Sequence, residues 1–422
     1  MMIELINTGT ELMLGRVLNS HQQWICRRMA DLGYVVQRQV AVPDTAQAIG
    51  QAVREALSRA DLVITTGGLG PTSDDLTRDV IARLLGVPLR ERPEIVAHVR
   101  DYFASRNRPM PDRTRVEAMV PEGARFFLNR TGTAPGLAMQ LNPNPFRPDG
   151  KTSWLIMLPG PRRELQPMFT DSLVPLLHET LPLQQPFQSL TLRTAGIGES
   201  LLEQRIAPQL DSLVHRGLEL GYCARPWQVD VRLSASGPDA ASLIAQGETV
   251  VRNELKDNIF GTSDEEMEAV VVRILRNTRK SLALAESCTG GGIANKITNV
   301  PGASDVFKLG LVTYSNETKQ SVLNVNAETI ERHGAVSEEV AREMALGAKT
   351  AAKSDFAIAV TGIAGPSGGS PQKPVGTVCI AVASATQTTA RTLLNPWDRL
   401  TFKEVTSLQA LDILRQQLLS VF

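Results

Sequence analysis

The sequence predicts an α/β protein built on mostly parallel sheets with helices on both faces. Two observations carry that expectation. Short apolar runs of strand length alternate with segments whose apolar residues recur at helical spacing. Most of these runs end in Gly-, Thr- or Pro-rich turns that lead straight into the next helix. The composition agrees: 42% apolar and 21% charged residues exclude global disorder, a collagen-like chain and a coiled coil. At roughly 150 residues per domain, the length suggests about three domains.

The elements follow in order. Residues 3–7 read as a short buried strand and 8–11 as the loop after it. Asn19 can cap a helix bearing Trp24, Ile25, Met29 and Leu32, which Gly33 stops. Residues 34–42 read as the next strand, followed by a helix through Ile49, Val53 and Leu57. Residues 61–66 form a buried strand that enters Gly67-Gly68-Leu69-Gly70-Pro71-Thr72. Asp74 or Asp75 then opens a helix through Val80, Ile81 and Leu84. Residues 142–150 are a polar, Pro-rich excursion, either a hairpin loop or a surface insertion. Residues 154–158 repeat the pattern of strand, turn (Pro159-Gly160-Pro161) and helix. From 178 to 258 the reading is a small α/β unit with three strands and two helices and no catalytic cluster. Beyond it come a helix at 264–278 and a strand at 281–285. That strand leads into Glu286-Ser287-Cys288-Thr289-Gly290-Gly291-Gly292. A strand at 309–315 and a short helix bearing Lys319 follow. A third strand at 356–360 runs into the glycine-rich stretch 361–369, and a last strand spans 377–382.

Several function classes drop out. Lys plus Arg is 44 and Asp plus Glu is 44, whereas a chain that mainly holds nucleic acid carries a basic excess. No direct nucleic-acid binding is expected. The four cysteines are far apart with no CxxC pair, and the five histidines are scattered, which argues against a zinc ribbon or a disulfide framework. No apolar run approaches the roughly 18 residues of a membrane span, so no membrane partner is expected. The start, MMIELINTG, lacks the basic region of a signal peptide, and a cytoplasmic location is expected. Asn129 and Asn316 stand in glycosylation-like triplets that a cytoplasmic chain would make accidental.

Loops at the carboxyl ends of parallel strands are where open α/β sheets bind ligands. Three such loops lie in the first domain: 8–11, 65–75 and 159–164. Their glycines would let backbone N–H groups approach a phosphate. Glu11, Asp74, Asp75 and Glu164 would suit a hard divalent cation bridging to it. Neither a Walker A loop nor a GxGxxG fingerprint is present. The plainer alternative is that Gly67–Gly70 makes a tight turn and Asp74 or Asp75 caps a helix. In the last domain, three nucleophile types stand side by side at 287–289, and the helix after them would aim its N-terminus at the turn, favouring an anion. Serine needs a base. No triad histidine is in view, although His333 lies nearby. A lysine can serve once burial lowers its pKa, and Tyr314 and Lys319 follow a neighbouring strand. Cys288 is intrinsically the better nucleophile. Alternatively, Ser287 and Thr289 cap a helix and Cys288 is packing.

These motifs resemble a known family. The stretch Thr65 to Asp75, with Gly9-Thr10-Glu11-Leu12 and Leu158-Pro-Gly-Pro161, resembles the molybdopterin-binding-like domain. Ala285-Glu-Ser-Cys-Thr-Gly-Gly291, His333-Gly-Ala-Val-Ser337 and Val360-Thr-Gly-Ile-Ala-Gly-Pro366 look like the nicotinamide-nucleotide amidase domain. In this order, and over essentially the whole chain, they are similar to the CinA (competence/damage-inducible) family. The resemblance implies an N-terminal three-layer molybdopterin-binding-like domain at 1–177, a small α/β middle domain at 178–258 and a C-terminal α/β amidase domain at 259–422.

The resemblance also implies a chemistry. The amidase removes ammonia from nicotinamide mononucleotide (NMN), with Ser287 as nucleophile and Tyr314 and Lys319 as partners. Glycine-loop N–H groups would hold the oxyanion, and no metal or other cofactor is needed. Substrate contacts would come from Thr289, Gly290, Gly291, Thr361, Gly362, Gly365 and Arg399. Arg399 stands in Trp-Asp-Arg where the family tends to carry Gly-Asp-Arg. The N-terminal domain is associated with hydrolysis of ADP-ribose to AMP and ribose 5-phosphate. Gly9, Thr10, Gly67, Gly68, Gly70, Thr72 and Gly160 would bind phosphate, and a divalent cation would sit on Asp75, Asp74, Glu11 and Glu164. A homodimer is implied. The competing reading is a non-catalytic nucleotide-binding partner protein linked to competence or DNA damage. A molybdenum-cofactor role fits the attached amidase motifs less well.

Overall fold

A computed structural model describes residues 1–421. They form two compact units, Met1–Gln188 and the chain from Ser189 onward.

The first unit contains β1 (Ile3–Thr8), β2 (Arg38–Val42), β3 (Leu62–Thr66), β4 (Leu89–Glu91), β5 (Met119–Pro121), β6 (Arg125–Phe127), β7 (Gly136–Leu141) and β8 (Ser153–Leu158). Six of these make one sheet in the order β2-β1-β3-β8-β7-β6, parallel from β2 to β8 and antiparallel beyond. β1, β3 and β8 are buried along their whole length, because helices cover both faces and leave no solvent side for alternation. Ile6, Val63, Ile81 and Ile95 pack on one face, and Leu5, Ile25, Ile64 and Phe169 on the other. The three strands are neighbours, so their following loops meet at one edge.

Some local expectations shift. The second strand is shorter than 34–42, because buried Tyr34 leaves the sheet and donates its hydroxyl hydrogen to Leu181 O at 3.1 Å. The Pro-rich excursion is the hairpin connection between β7 and β8. It is pinned by buried Asn144, whose Nδ2 donates to Leu57 O and Ser153 Oγ, each at 2.8 Å. The stretch from 87 to 135, largely unread in the sequence, forms the β4–β5 ribbon, the helix Pro93–Ala104, the 3-10 segment Asp112–Ala118 and strand β6.

The second unit holds two sheets. β9 (Phe187–Ala195), β10 (Leu218–Arg225), β11 (Gln228–Ser236) and β12 (Ile259–Thr262) lie in the order β10-β11-β9-β12. Helices Glu199–Val214 and Ala240–Leu255 pack against them through Leu202, Ile206, Leu243 and Val251. The other sheet has β13 (Leu282–Glu286), β14 (Phe307–Val312), β15 (Phe356–Gly362), β16 (Thr377–Ala383) and β17 (Thr388–Leu394), ordered β14-β13-β15-β16-β17. Its first three strands are parallel. Alternation along β13 sorts the two faces. Leu282 and Leu284 pack with Val271, Phe402 and Leu411, whereas Ala283 and Ala285 leave room for Met344 and Ala345 of the helix Glu338–Ala352. The helix Arg399–Val421, unforeseen in the sequence, is buried nearly all round from Val405 to Leu414, so it shows no simple apolar stripe. No helix among the described residues is long and apolar enough to cross a membrane.

Arg193 of β9 ties its sheet to the start of the helix Met267–Thr278, which Glu266 precedes. It is fully buried, ion-pairs with Asp230 at 2.7 Å and Glu266 at 3.1 Å, and lies over the Phe260 ring. Removing one member of a buried ion pair leaves the other charge uncompensated. Asp230→Ala should therefore lower unfolding free energy by about 3 kcal/mol in urea titration. A loss below about 1 kcal/mol, the scale of an exposed pair, would mean the network is solvated.

Candidate functional site

In the second unit, β13, β14 and β15 end side by side and present three loops at one edge. The turn after β13 is organised by Glu286. Its buried carboxylate accepts from Thr289 Oγ1 (2.7 Å), Gly291 N (3.0 Å), Ile293 N (3.1 Å) and Ala294 N (2.8 Å). An acidic side chain thus satisfies the N-terminal N–H groups of the helix Gly292–Thr298. Gly290 and Gly291 take left-handed φ values of 60° and 91° to wrap the chain around it. This corrects the expectation that the glycine turn and helix start would hold an external anion: the amides of Gly291, Ile293 and Ala294 already face a carboxylate. It also reassigns Thr289, whose fully buried hydroxyl serves the same carboxylate.

Ser287 and Lys319 come together. Lys319 lies on the helix Asn316–Leu323, whose N-terminus is capped by Ser315 Oγ accepting from Thr318 N. Its Nζ reaches Ser287 Oγ at 3.2 Å, Thr313 O at 3.0 Å and Tyr314 O at 3.3 Å. Lys319 is 2% exposed and Ser287 7%. Burial lowers the lysine pKa. No carboxylate ion-pairs with the amine among the described residues. Nζ donates to all three oxygens; on losing a proton it would keep two N–H bonds to the carbonyls and turn its lone pair to the serine hydroxyl. A buried amine thus lies within hydrogen-bond reach of a serine hydroxyl.

The surroundings of Cys288 disfavour its thiolate. Cys288 is buried and its thiol is pushed up to about 12, chiefly by burial. The thiolate that cysteine chemistry needs is therefore scarce at neutral pH. A side chain on Gly362 would meet Cys288 Sγ at 3.0 Å, so that glycine serves close packing.

Other expected site residues have structural partners. Tyr314 is 60% exposed, and its hydroxyl accepts from Arg399 Nη2 at 2.9 Å; its backbone carbonyl, not its ring, touches Lys319. Arg399 also donates to Gly365 O at 2.8 Å, so it bridges the loops after β14 and β15. Thr361 Oγ1 donates to Ala335 O at 2.8 Å and is 1% exposed, which corrects its expected role in ribose-phosphate contact. His333 has its carbonyl, with that of Val336, on Lys373 Nζ and takes no part at the serine.

In the first unit the three glycine-containing loops do meet. Gly67 N donates to Leu158 O at 3.0 Å, and a Cβ on Gly67 would stand 2.7 Å from Thr8 Oγ1. A Cβ on Gly160 would lie 3.6 Å from Gly67 Cα. Several side chains, however, are committed locally. Thr10 N and Oγ1 pair with Asp44, and Gly9 N donates to Val42 O. Asp75 Oδ2 accepts from Thr72 N at 2.9 Å and from Thr72 Oγ1, and Asp74 also accepts from Thr72. The helix consequently starts later than expected, at Thr77. A side chain on Gly70 would strike the Asp75 carboxylate. Glu11 and Asp74 are exposed, while Glu164 is buried beneath Asn129, whose Nδ2 donates to its Oε2 at 2.8 Å. Among the described residues no three His, Cys, Asp or Glu side chains are placed to hold a metal. The four-carboxylate cation nest is corrected accordingly.

The sequence reading missed Glu117. It is 1% exposed, accepts from Thr133 Oγ1 at 3.1 Å and lies within electrostatic reach of Arg78, Glu164 and Asp75. Its Oε2, Arg78 Nε and Thr77 Oγ1 are buried without partners. Burial pushes its pKa to about 7 and raises that of Glu164 as well. No local pattern marks Glu117, which sits in an irregular 3-10 segment. Asn129, read as an accidental glycosylation triplet, is a buried partner of this cluster.

Comparison with known proteins covers the whole chain. Residues 4–179 match the family described as "Probable molybdopterin binding domain", 189–261 the "Damage-inducible protein CinA KH domain" and 264–418 the "CinA C-terminal domain". A CinA-like protein of Akkermansia muciniphila is 42% identical over 97% of this chain and 95% of its own. A CinA-like protein of Desulfovibrio desulfuricans is 40% identical over 99% and 96%. A crystal structure of a competence-damaged protein (CinA) superfamily member from Klebsiella pneumoniae is 35% identical over 36% of this chain and 96% of its own, with a TM-score of 0.36.

Glu117 gives the first unit a pH signature. Its folded-state pKa lies above the ordinary glutamate value, so its contribution is complete at acid pH and lost as pH rises through about 7. Between pH 5 and 8 the wild type should lose roughly 3 kcal/mol relative to Glu117→Gln. Parallel wild-type and variant stability curves across that range would show that Glu117 is ionised throughout.

Proposed function

The chain belongs to the CinA family, and we propose that its C-terminal site is an amidase that removes ammonia from NMN, leaving nicotinic acid mononucleotide. The observation that carries the reading is the buried Lys319 amine on the Ser287 hydroxyl, without a carboxylate to keep it protonated. Neutral Lys319 takes the Ser287 proton as Oγ attacks the carboxamide carbon. The resulting ammonium stands beside the developing charge, held by Thr313 O and Tyr314 O. It returns the proton to the departing ammonia. Water, deprotonated by the same amine, then cleaves the acyl-serine ester and releases the acid. Arg399 and Tyr314 act as a bridge across the site mouth rather than as the base.

The first unit we read as an ADP-ribose pyrophosphatase that yields AMP and ribose 5-phosphate. This reading rests on the three glycine loops meeting at one strand edge, beside buried Arg78 and the Glu117–Glu164 pair. A divalent cation fits this donor set only in the manner of Mg²⁺, through one or two carboxylates, Asp75 or Glu164, plus phosphate oxygens of the bound diphosphate. It would supply charge neutralisation and a more acidic water.

Ammonia release from NMN should persist in EDTA, fall at least ~10³-fold in Ser287→Ala and Lys319→Met, and survive in Cys288→Ala. Its kcat/KM should rise with pH as the lysine deprotonates, below the pH of an ordinary lysine. Normal turnover by Ser287→Ala would refute the mechanism. For the first unit, AMP should form from ADP-ribose only with added divalent cation, and Glu164→Ala should reduce it ~10²-fold or more. Undiminished AMP formation in that variant would remove Glu164 from the site.

A further inference from the structure

The proposed substrate is an anion, yet the loop carrying Ser287 has little left to bind one with. Its helix-start amides at Gly291, Ile293 and Ala294 donate to Glu286, and that buried carboxylate would oppose a second negative charge beside it. A phosphate must then be read by side-chain cations. Most cations around this edge already have partners. Lys319 faces Ser287 and two carbonyls. Lys373 donates to His333 O and Val336 O, Lys296 pairs with Glu404 at 2.7 Å, and Arg399 spans Tyr314 and Gly365.

Lys403 differs. It stands one turn after Arg399 on the helix Arg399–Val421, hence on the same helix face. Its Nζ lies 3.5 Å from the position a Cβ on Gly290 would take. The ammonium therefore rests on the nucleophile turn, three residues from Ser287. It is half-buried and makes no ion pair among the described residues. Gly290, with its φ of 60°, is both the conformational need of the turn and the opening through which this charge reaches it. The helix is locked against the same turn further along, since Ser407 Oγ would stand 3.2 Å from a Cβ on Gly292.

We propose that Lys403 is the phosphate-recognition residue of the amidase site, making it select a phosphorylated ribosyl amide over the same compound without its phosphate. This rests on the amidase reading of Ser287 and Lys319. The phosphomonoester lies across Gly290 and faces the ammonium. Arg399 holds the flanking loops that shape its berth.

The test compares NMN with its dephosphorylated riboside on wild type, Lys403→Met and Lys403→Arg, with thermal midpoints to show that each variant is folded. The preference for NMN, as a ratio of kcat/KM values, should fall ~10–100-fold in Lys403→Met, mainly through KM. Most of it should return in Lys403→Arg. An unchanged ratio in Lys403→Met, or an equal loss on both substrates, overturns the proposal. If wild type releases no ammonia from either compound, the amidase reading fails. Calorimetric binding of NMN then decides separately: affinity at least ~10-fold weaker in Lys403→Met supports phosphate recognition, and equal affinity overturns it.

Discussion

The carboxylate of Glu286 is the fixed point around which the C-terminal site is arranged. One buried acid receives four donors from the turn that follows it and from the helix beyond. A buried charge is tolerated only when it is so completely hydrogen-bonded. The bonds fix the backbone from Thr289 to Ala294, and with it the direction of Ser287 one residue on. Ser287 N is also tied to Val360 O at 3.0 Å, so the proposed nucleophile is held from the neighbouring strand too. Rigidity of this kind is what a serine nucleophile needs, since small misplacements of reacting atoms cost large factors in rate.

The two sites solve opposite electrostatic problems. In the second unit, one acid is enclosed by four donors while a lysine loses basicity through burial. In the first unit, acids are buried with few donors, so they move toward their neutral forms: Glu117 has one hydroxyl partner and Glu164 chiefly one amide. Glu286 collects four donors, whereas Glu117 has one, and the desolvation of Glu117 is left largely unopposed.

Strand-to-helix turns were the readable part of the sequence. Glycines, prolines and short apolar runs mark β1, β3, β8, β13 and β15 well, because each signal is local. The family motifs then pointed to Ser287 and Lys319, which the fold brings into contact. What the sequence could not show is where polar atoms are already used. Glu286 is plain in the motif, but its four bonds arise only once the turn closes, so the glycines looked available for a ligand. Thr10, Thr72 and Thr361 failed as ligand contacts for the same reason. Glu117 lies in irregular backbone, and its burial depends on the packing of distant segments. The helix Arg399–Val421 escaped notice because near-complete burial removes the two-sided pattern by which a helix is recognised.

The sealed thiol beside Ser287 has a consequence for the life of the protein under stress. Oxidants and soft electrophiles attack thiolates, and Cys288 offers almost none and no route to the sulfur. Peroxide or a quinone would sooner reach exposed Cys223, far along the sequence from the serine turn. A cell under oxidative attack would keep this turn intact while thiol-dependent enzymes stalled. Covalent probes designed for cysteine would pass it by, and a label for the site would have to be chosen for serine, such as a boronic acid or a sulfonyl fluoride.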